Sequence, residues 1–298
     1  MALVPFDDRD GWIWMDGKMI PWREAKVHVL THALHYGSSV FEGERAYNGR
    51  IFKSREHTQR FHNSAEMLGF TIPYSIDEIE KAKYAVLEKM NLKDAYIRPV
   101  AWRGSETLSV STKGSNDIRV AVCVWEWPSY YGKEMMEKGL KLQWSQWVRP
   151  APNMAPVASK AAGLYMICTH AKNKAEAEGY NDALMLDYRG YLAEATSANL
   201  FLVMDGVVHT PKADCFLDGI TRRTVIQLAR DNGFKVEERH IKPEELKNAQ
   251  EIFLTGTAAE ISPVGQVADM QFTVGPVTKK LVSAYSDLVR AEPKRMAG

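Results

Sequence analysis

Cysteine is scarce in this chain, with Cys123, Cys168 and Cys215 the only three in 298 residues. Their odd number and wide spacing suit a reducing compartment better than a disulfide framework, with buried structural thiols expected at Cys168 and Cys215 rather than redox sensors. Long apolar runs are also lacking. Polar or charged residues interrupt each one well short of the roughly 20 residues that span a bilayer. The opening MALVPFDDRD has no basic region followed by an apolar stretch, so no secretory signal is expected and a cytoplasmic protein is. Charge of one sign is not in excess: 38 Lys plus Arg against 37 Asp plus Glu leave +1. That balance gives neither nucleic acid nor an anionic membrane an electrostatic hold. Internal repeats and low-complexity segments are missing. So are Gly-x-Gly-x-x-Gly, Gly-x-x-x-x-Gly-Lys and Gly-x-Ser-x-Gly, which removes the common nucleotide fingerprints and the hydrolase elbow.

What is present reads as an α+β chain of two domains. Trp12 to Trp14, Asp16-Gly17 and Met19 to Trp22 form a hairpin pattern. Ser39 to Tyr47, Asn48-Gly49 and Ile51 to Lys53 form a second, Asn-Gly being the strongest short hairpin signal. A helix is expected from Ser54 as N-cap to Leu68, closed by Gly69. Another runs from Ser75, whose partner Glu78 completes a capping box, to about Met90. Strands follow at Ala95 to Trp102 and Ile118 to Trp127. The break Pro128-Ser129-Tyr130-Tyr131-Gly132 suggests a domain boundary: 1–130 a small N-terminal α+β domain, 131–140 a linker, and 141–298 a larger C-terminal domain. Beyond it come a strand near Leu142 to Val148, a Pro-rich loop from Arg149 to Pro156, and a helical pattern from about Ala161 to Gly179. Short strands follow, with turns at Tyr188-Arg189-Gly190 and Asp205-Gly206. A helix from Thr221 to Asn232, a strand from Glu251 to Thr255, and a last helix opened by Pro276 complete the chain.

The first chemical candidates fail. His28, His32 and His35 have helical spacing, but no carboxylate or thiol nearby completes a metal shell, so hydrogen-bonding roles are expected and no metal is. The pairs Arg222-Arg223 and Lys279-Lys280 read as solvated helix faces. Lys160 is different, lying in the small-residue run Val157-Ala158-Ser159-Lys160-Ala161-Ala162-Gly163. An amine desolvated there becomes a nucleophile, and the alternative is a lysine snorkelling to the surface. Glu194 is a lone carboxylate in Ala193-Glu194-Ala195-Thr196, a turn or helix polar group unless it has a ligand. Arg98 sits inside the apolar strand Tyr96-Ile97-Arg98-Pro99-Val100, either as a structural ion pair or as a carboxylate receptor.

These oddities fall into one pattern. The stretch His32-Ala33-Leu34-His35-Tyr36-Gly37-Ser38-Ser39-Val40-Phe41-Glu42-Gly43 resembles the entry motif of the branched-chain amino acid aminotransferases. So do Glu56 to Phe61, Ala95 to Pro99, Ser159-Lys160-Ala161, Glu194 to Phe201, Gly219-Ile220-Thr221-Arg222 and Gly256-Thr257-Ala258-Ala259-Glu260. The segments occur in the family's order over nearly the whole chain. The resemblance implies a two-domain fold-type IV enzyme, similar to D-amino acid aminotransferase, with a β-barrel-like core in the larger domain. Its cofactor would be pyridoxal 5′-phosphate, held by Lys160 as an internal aldimine. Glu194 would pair with the pyridine nitrogen, Tyr165 with the 3′ oxygen, and Arg60, Ile220, Thr221 and Thr257 with the phosphate. Tyr96 and the Thr257-Ala258 amides would receive the substrate's α-carboxylate. Phe41, Gly43, Trp127, Leu108 and Val110 would surround its side chain. Tyr36, Arg98 and Tyr130 would let the same pocket take glutamate's distal carboxylate. Tyr36, Leu108 and Val110 would come from a neighbouring copy, making the working unit at least a homodimer. The implied reaction is transfer of the amino group of L-leucine, L-isoleucine or L-valine to 2-oxoglutarate through pyridoxamine phosphate.

Three departures from the family stand out. Glu44 replaces an aliphatic residue, and strand alternation would turn it away from Gly43 and the pocket. The loop Arg103 to Val110 is more polar than the family's glycine-rich version. Leu164 stands where asparagine is common. Rival activities on the same scaffold are D-amino acid or (R)-amine transamination and aminodeoxychorismate lyase chemistry. The Arg-x-His pair of D-specific relatives is absent from the strand Tyr96 to Val100, and Arg98, which amine-specific relatives tend to lose, is present. A non-catalytic binding or regulatory protein of the same fold would have lost the lysine or the carboxylate, and both Lys160 and Glu194 remain.

Overall fold

The computed structural model describes residues 4–127 and 132–291, so the break around Pro128 and the candidate Tyr130 lie outside the described residues. The chain divides into two units, Met1–Pro128 with Pro152–Met166, and Ser129–Ala151 with Ile167–Gly298.

In the first unit the expected hairpin forms from β1 (Trp12–Met15) and β2 (Lys18–Pro21). A short helix α1 (His32–Tyr36) precedes β3 (Ser39–Phe41). The strand expected from Ser39 to Tyr47 is in fact two, because Glu42 and Gly43 interrupt it before β4 (Glu44–Tyr47), which turns at Asn48-Gly49 into β5 (Arg50–Ile51). Helix α2 (Ser54–Met67) is capped by Lys53 in the left-handed region, not by Ser54, since the tight exit from β5 places the turn there. Helix α3 (Ile76–Lys89) begins with the Ser75–Glu78 capping box. Strands β6 (Ala95–Arg103) and β7 (Ile118–Glu126) then pair in register over their whole length.

The resulting sheet has the order β2-β1-β7-β6-β4-β5, with β3 added against β6. Strand alternation sorts its faces. Ile97, Ala101, Val120, Val122 and Val124 pack with Phe61, Ile79 and Val86 of the two helices. Trp102 and Ala121 pack with Ile13 and Trp22 in a cluster that Val100 and Trp125 flank. Each fully buried aliphatic side chain contributes about 1.5–3 kcal/mol, so the helix side alone outweighs any single polar contact in the unit.

The second unit opens with α4 (Lys133–Lys138) and β8 (Leu140–Trp144), a few residues earlier than the strand expected at Leu142 to Val148. The expected helix after Ala161 is a 3-10 turn, Ala162–Tyr165, which belongs to the first unit, and α5 (Met166–Ala177) follows it. Strands β9 (Asp182–Leu186), β10 (Leu192–Ala195), β11 (Asn199–Met204) and β12 (Val207–Pro211) follow. Helix α6 (Ile220–Asp231), β13 (Val236–Arg239), β14 (Glu251–Gly256), β15 (Glu260–Val267), β16 (Met270–Gln271) and α7 (Pro276–Arg290) complete the unit.

The neighbours β10-β9-β8-β15-β14-β11 close on themselves through a β10–β11 pairing, giving the expected barrel-like core. Leu140, Leu142, Leu184, Leu200, Leu202, Ile252, Leu254 and Val264 fill it. One expectation is reversed here. Arg222 is not on a solvated face but 2% exposed. Asp218 at 2.8 Å, Glu238 at 2.9 Å and the Pro211 carbonyl at 2.9 Å supply the partners that permit burial. Among the described residues no helix is long and apolar enough to cross a membrane.

Candidate active site

Lys160 is placed by backbone pairing within the first unit. Its carbonyl accepts from the Phe41 N–H at 3.1 Å, its own N–H donates to Ser64 Oγ at 3.0 Å, and Ala161 bridges to Val40. The amine is thereby held in a half-buried position, 2.9 Å from the Tyr165 hydroxyl. It lies 4.9 Å from the centre of the Phe41 ring, and the Phe41 and Tyr165 rings meet edge to face at 4.9 Å. The Arg98 guanidinium also lies over Phe41, at 4.6 Å, and Nη2 donates to the Tyr96 hydroxyl at 3.2 Å. Tyr96 in turn packs on Trp125 and Trp127, with centroids at 5.1 and 4.9 Å. Gly43 completes the group: a Cβ there would meet the Tyr96 oxygen at 2.0 Å. Lys160, Tyr165, Phe41, Arg98, Tyr96, Gly43 and Trp127 therefore form one continuous set. An amine, two phenols and a guanidinium line an aromatic wall.

Arg60 lies in α2 and is held by a partner the sequence reading missed. Its Nε and Nη2 donate to Glu42 Oε1 and Oε2 at 2.6 and 2.8 Å, while His57 Nδ1 lies 2.7 Å from Oε2. Glu42 is fully buried. Burial opposes its charge, but Arg60 and His57 overcome this and hold its carboxyl well below the ordinary range. Burial lowers the His57 pKa despite the carboxylate beside it. The bidentate grip engages Nε and Nη2 of Arg60, with Nη1 outside the pair. A glutamate between Phe41 and Gly43, both pocket candidates, was the available signal.

Tyr36, Leu108 and Val110 are not part of this set. Their side chains stand on the surface, 47%, 45% and 83% exposed, and the ring contacts of Tyr36 are with His32 and His35. The histidines serve as hydrogen-bonding groups: His32 bridges Ser38 Oγ and the Ser109 carbonyl at 2.6 and 2.9 Å, and His35 meets the Val29 carbonyl.

In the second unit Glu194 is 5% exposed on β10, between two donors that sequence reading did not single out. Arg149 Nη2 lies 2.7 Å from Oε1, and Asn199 Nδ2 donates to Oε2 at 2.9 Å and to the Leu217 carbonyl at 3.1 Å. Asn199 also explains Gly219, where a Cβ would meet the Asn199 amide oxygen at 2.2 Å. Gly219 caps α6 without a side chain, so the first N–H groups of the helix, at buried Ile220 and Thr221, face outward along the axis. Thr257 and Ala258 lie in the turn between β14 and β15. Cys168 and Cys215 are buried free thiols, as expected, and burial pushes Cys215 up to about 12, out of the reactive range.

Comparison with known proteins places this arrangement. The family model for amino-transferase class IV matches residues 39–267. A probable branched-chain-amino-acid aminotransferase of Rickettsia felis is 42% identical over 97% of this chain and 100% of its own length. The crystal structure of the Escherichia coli branched-chain amino acid aminotransferase superposes with TM-score 0.92 at 40% identity, over 97% of this chain and 98% of that one. A T.th. branched-chain amino acid aminotransferase, solved with pyridoxamine 5′-phosphate, gives TM-score 0.93 at 41% identity over 96% of both chains. That enzyme has also been solved with N-(5′-phosphopyridoxyl)-L-glutamate, at 40% identity and TM-score 0.91. With relatives this similar over almost its full length, the chain belongs to the pyridoxal-phosphate-dependent class IV aminotransferases, among the branched-chain amino acid aminotransferases.

Proposed function

We propose that this chain transfers the amino group of L-leucine, L-isoleucine or L-valine to 2-oxoglutarate, using Lys160 as the covalent anchor and proton carrier. The observation that carries the reading is the contact set Lys160–Phe41–Arg98–Tyr96. It combines an amine with a wall that is apolar for an aliphatic chain and cationic for a second carboxylate.

The residues fit pyridoxal phosphate by the chemistry of their donors. The first unit offers a primary amine against a phenol, and an arginine whose Nη1 lies outside its carboxylate pair. The second offers a buried carboxylate fixed by two donors, and a helix N-terminus without a side-chain cap. Lys160 would hold the aldehyde and Tyr165 the 3′ oxygen. Glu194 would hold the ring nitrogen, and Arg60, Ile220, Thr221 and Thr257 the phosphate. When bound, the cofactor supplies a carbonyl that condenses with amines and a protonated ring that accepts electrons from Cα. The protein's own part is then positional and acid–base. Lys160 Nζ takes the proton from the substrate Cα, with the Tyr165 hydroxyl steering the amine. Tyr96 and the Thr257-Ala258 amides would hold the α-carboxylate. Phe41, Gly43 and Trp127 exclude water from an aliphatic side chain, and Arg98 meets glutamate's distal carboxylate with a charge-assisted bond of about 1.5–3 kcal/mol.

The working unit is proposed to be a homodimer, in which Tyr36, Leu108 and Val110 of one copy line the pocket of the other. Their exposure, together with that of Val29 and Leu34, supports this, since burying apolar side chains against a partner copy removes them from water. Three free thiols suit cytoplasmic use.

The test is a single-turnover experiment on full-length, cofactor-loaded protein. L-Isoleucine alone should release its 2-oxo acid in stoichiometric amount and then stop, and 2-oxoglutarate should restore turnover and yield L-glutamate. D-Alanine and an (R)-aryl amine should release nothing. Product from either of those in place of the L-isoleucine product would overturn the role given to Arg98.

A further inference from the structure

A second buried charge cluster lies beside the one that holds Arg60. Lys83 and Glu44 are both 0% exposed, and Lys83 Nζ lies 2.8 Å from Glu44 Oε2. The same ammonium reaches Glu80 Oε1 at 2.6 Å, Thr58 Oγ1 at 2.7 Å and the Ser54 carbonyl at 3.2 Å. It thus ties β4, α3 and the first turns of α2 together. Lys83 occupies the apolar stripe of α3, flanked by buried Ile79, Ala82, Val86 and Leu87, where an aliphatic residue would satisfy the core alone.

The geometry of the segment between β3 and β4 links the two clusters. Glu42 and Glu44 are two residues apart, so both carboxylates turn towards the helices, while Gly43 between them faces the Tyr96 hydroxyl. The clusters also act on one another electrostatically. Glu42 disfavours the charge on Glu44, Glu44 favours the charge on Arg60, and Lys83 disfavours the charge on His57.

We propose that Lys83, through Glu44 and Thr58, is a positioning residue for the phosphate anchor: it clamps the Phe41 to Glu44 segment against α2 so that Glu42 presents Arg60 to the cofactor's phosphate. The inference rests on the phosphate role of Arg60 proposed above. Without Lys83, the Glu44 carboxyl is left buried with no ammonium donating to it, and the segment carrying Glu42 loses its tie to α2, so that Glu42 no longer holds Arg60 in place.

The experiment measures dissociation constants of pyridoxal phosphate and of pyridoxal, which lacks the phosphate, for the full-length protein. Lys83→Met should weaken pyridoxal phosphate about tenfold, equivalent to about 1.4 kcal/mol. It should leave pyridoxal unchanged. Glu44→Leu combined with Lys83→Met should restore the native value. If both ligands weaken alike, or neither does, the positioning role is overturned.

Arg60→Met separates this outcome from failure of the underlying assignment. If that variant does not weaken pyridoxal phosphate more than pyridoxal, the anchor role itself falls.

Should Lys83→Met not fold, Glu44→Gln carries the test. Glu44 is faced by Lys83 and Glu80 from α3, by Glu42 of its own segment, and by the charge of Arg60 from α2. Burial pushes its carboxyl up to about 8. Raising the pH from about 7 to about 9.5 therefore adds a negative charge beside the anchor, and native protein should lose pyridoxal phosphate affinity while Glu44→Gln does not. Identical pH profiles in the two proteins would overturn the proposal.

Discussion

Gly43→Ala tests whether the aromatic wall is as tightly built as the contacts indicate. The added Cβ would lie 2.0 Å from the Tyr96 oxygen and 2.9 Å from Cζ, both far inside contact distance. Gly43 is not at positive φ, so the strain is purely steric and must be relieved by moving the ring. Tyr96 has little freedom to move, because Trp125 and Trp127 pack on it at 5.1 and 4.9 Å. Displacing its hydroxyl breaks the 3.2 Å bond from Arg98, whose guanidinium lies over Phe41. Overpacking of a built wall typically costs about 1–3 kcal/mol. Felt in the transition state, that is a loss of about 5- to 150-fold in kcat/KM. Steady-state kinetics with L-isoleucine and L-glutamate as alternative donors measure it, with thermal melting as a control for global damage. Tyr96→Phe in the Gly43→Ala background removes the closest contact and should recover part of the loss. A Gly43→Ala protein with native kcat/KM and native melting temperature would refute the steric argument.

Arg98→Met should lower kcat/KM for L-glutamate about 10- to 100-fold while changing L-isoleucine far less, because only glutamate loses a charge-assisted bond. Equal losses for the two donors would show that Arg98 shapes the wall without reading the carboxylate. Stability should also carry a signature of Glu44, whose carboxyl is raised from 4.5 to about 8 by burial. A carboxyl raised in the fold contributes stability below its unfolded value and loses it as pH rises through the folded one. Melting temperature should therefore fall from about pH 5 to about pH 8 in native protein and level off above that, and this slope should vanish in Glu44→Gln. Val110→Asp places a charge on a side chain that is 83% exposed and apolar. It should shift sedimentation towards monomer and reduce turnover, whereas a dimer of unchanged strength and activity would remove Val110 from the shared pocket.

Much of the local structure was legible because short-range chemistry dictates it. The Ser75–Glu78 capping box starts α3 where the pattern requires, and Asn48-Gly49 turns β4 into β5. The α2 cap was misplaced by one residue, since the conformation of Lys53 is imposed by the exit from β5 and not by a side-chain preference. Arg222 was misread as solvated for a related reason. Its counter-charges, Asp218 and Glu238, come from the loop before α6 and from β13, and nothing in a basic pair announces them. Glu44 was noticed as a departure and expected to face away from the pocket, and it does turn from Gly43. That it meets a buried lysine could not be read.

By itself the sequence determined the periodicities, the turns and the ordered motifs around Lys160, Arg60 and Glu194, because these are written over a few adjacent residues. Only the tertiary structure decided which charges are buried together. Glu42 with Arg60, Glu44 with Lys83 and Arg149 with Glu194 are pairs separated by 18 to 45 positions. Their stability depends on a desolvated environment that exists only once sheet, helices and barrel have closed around them.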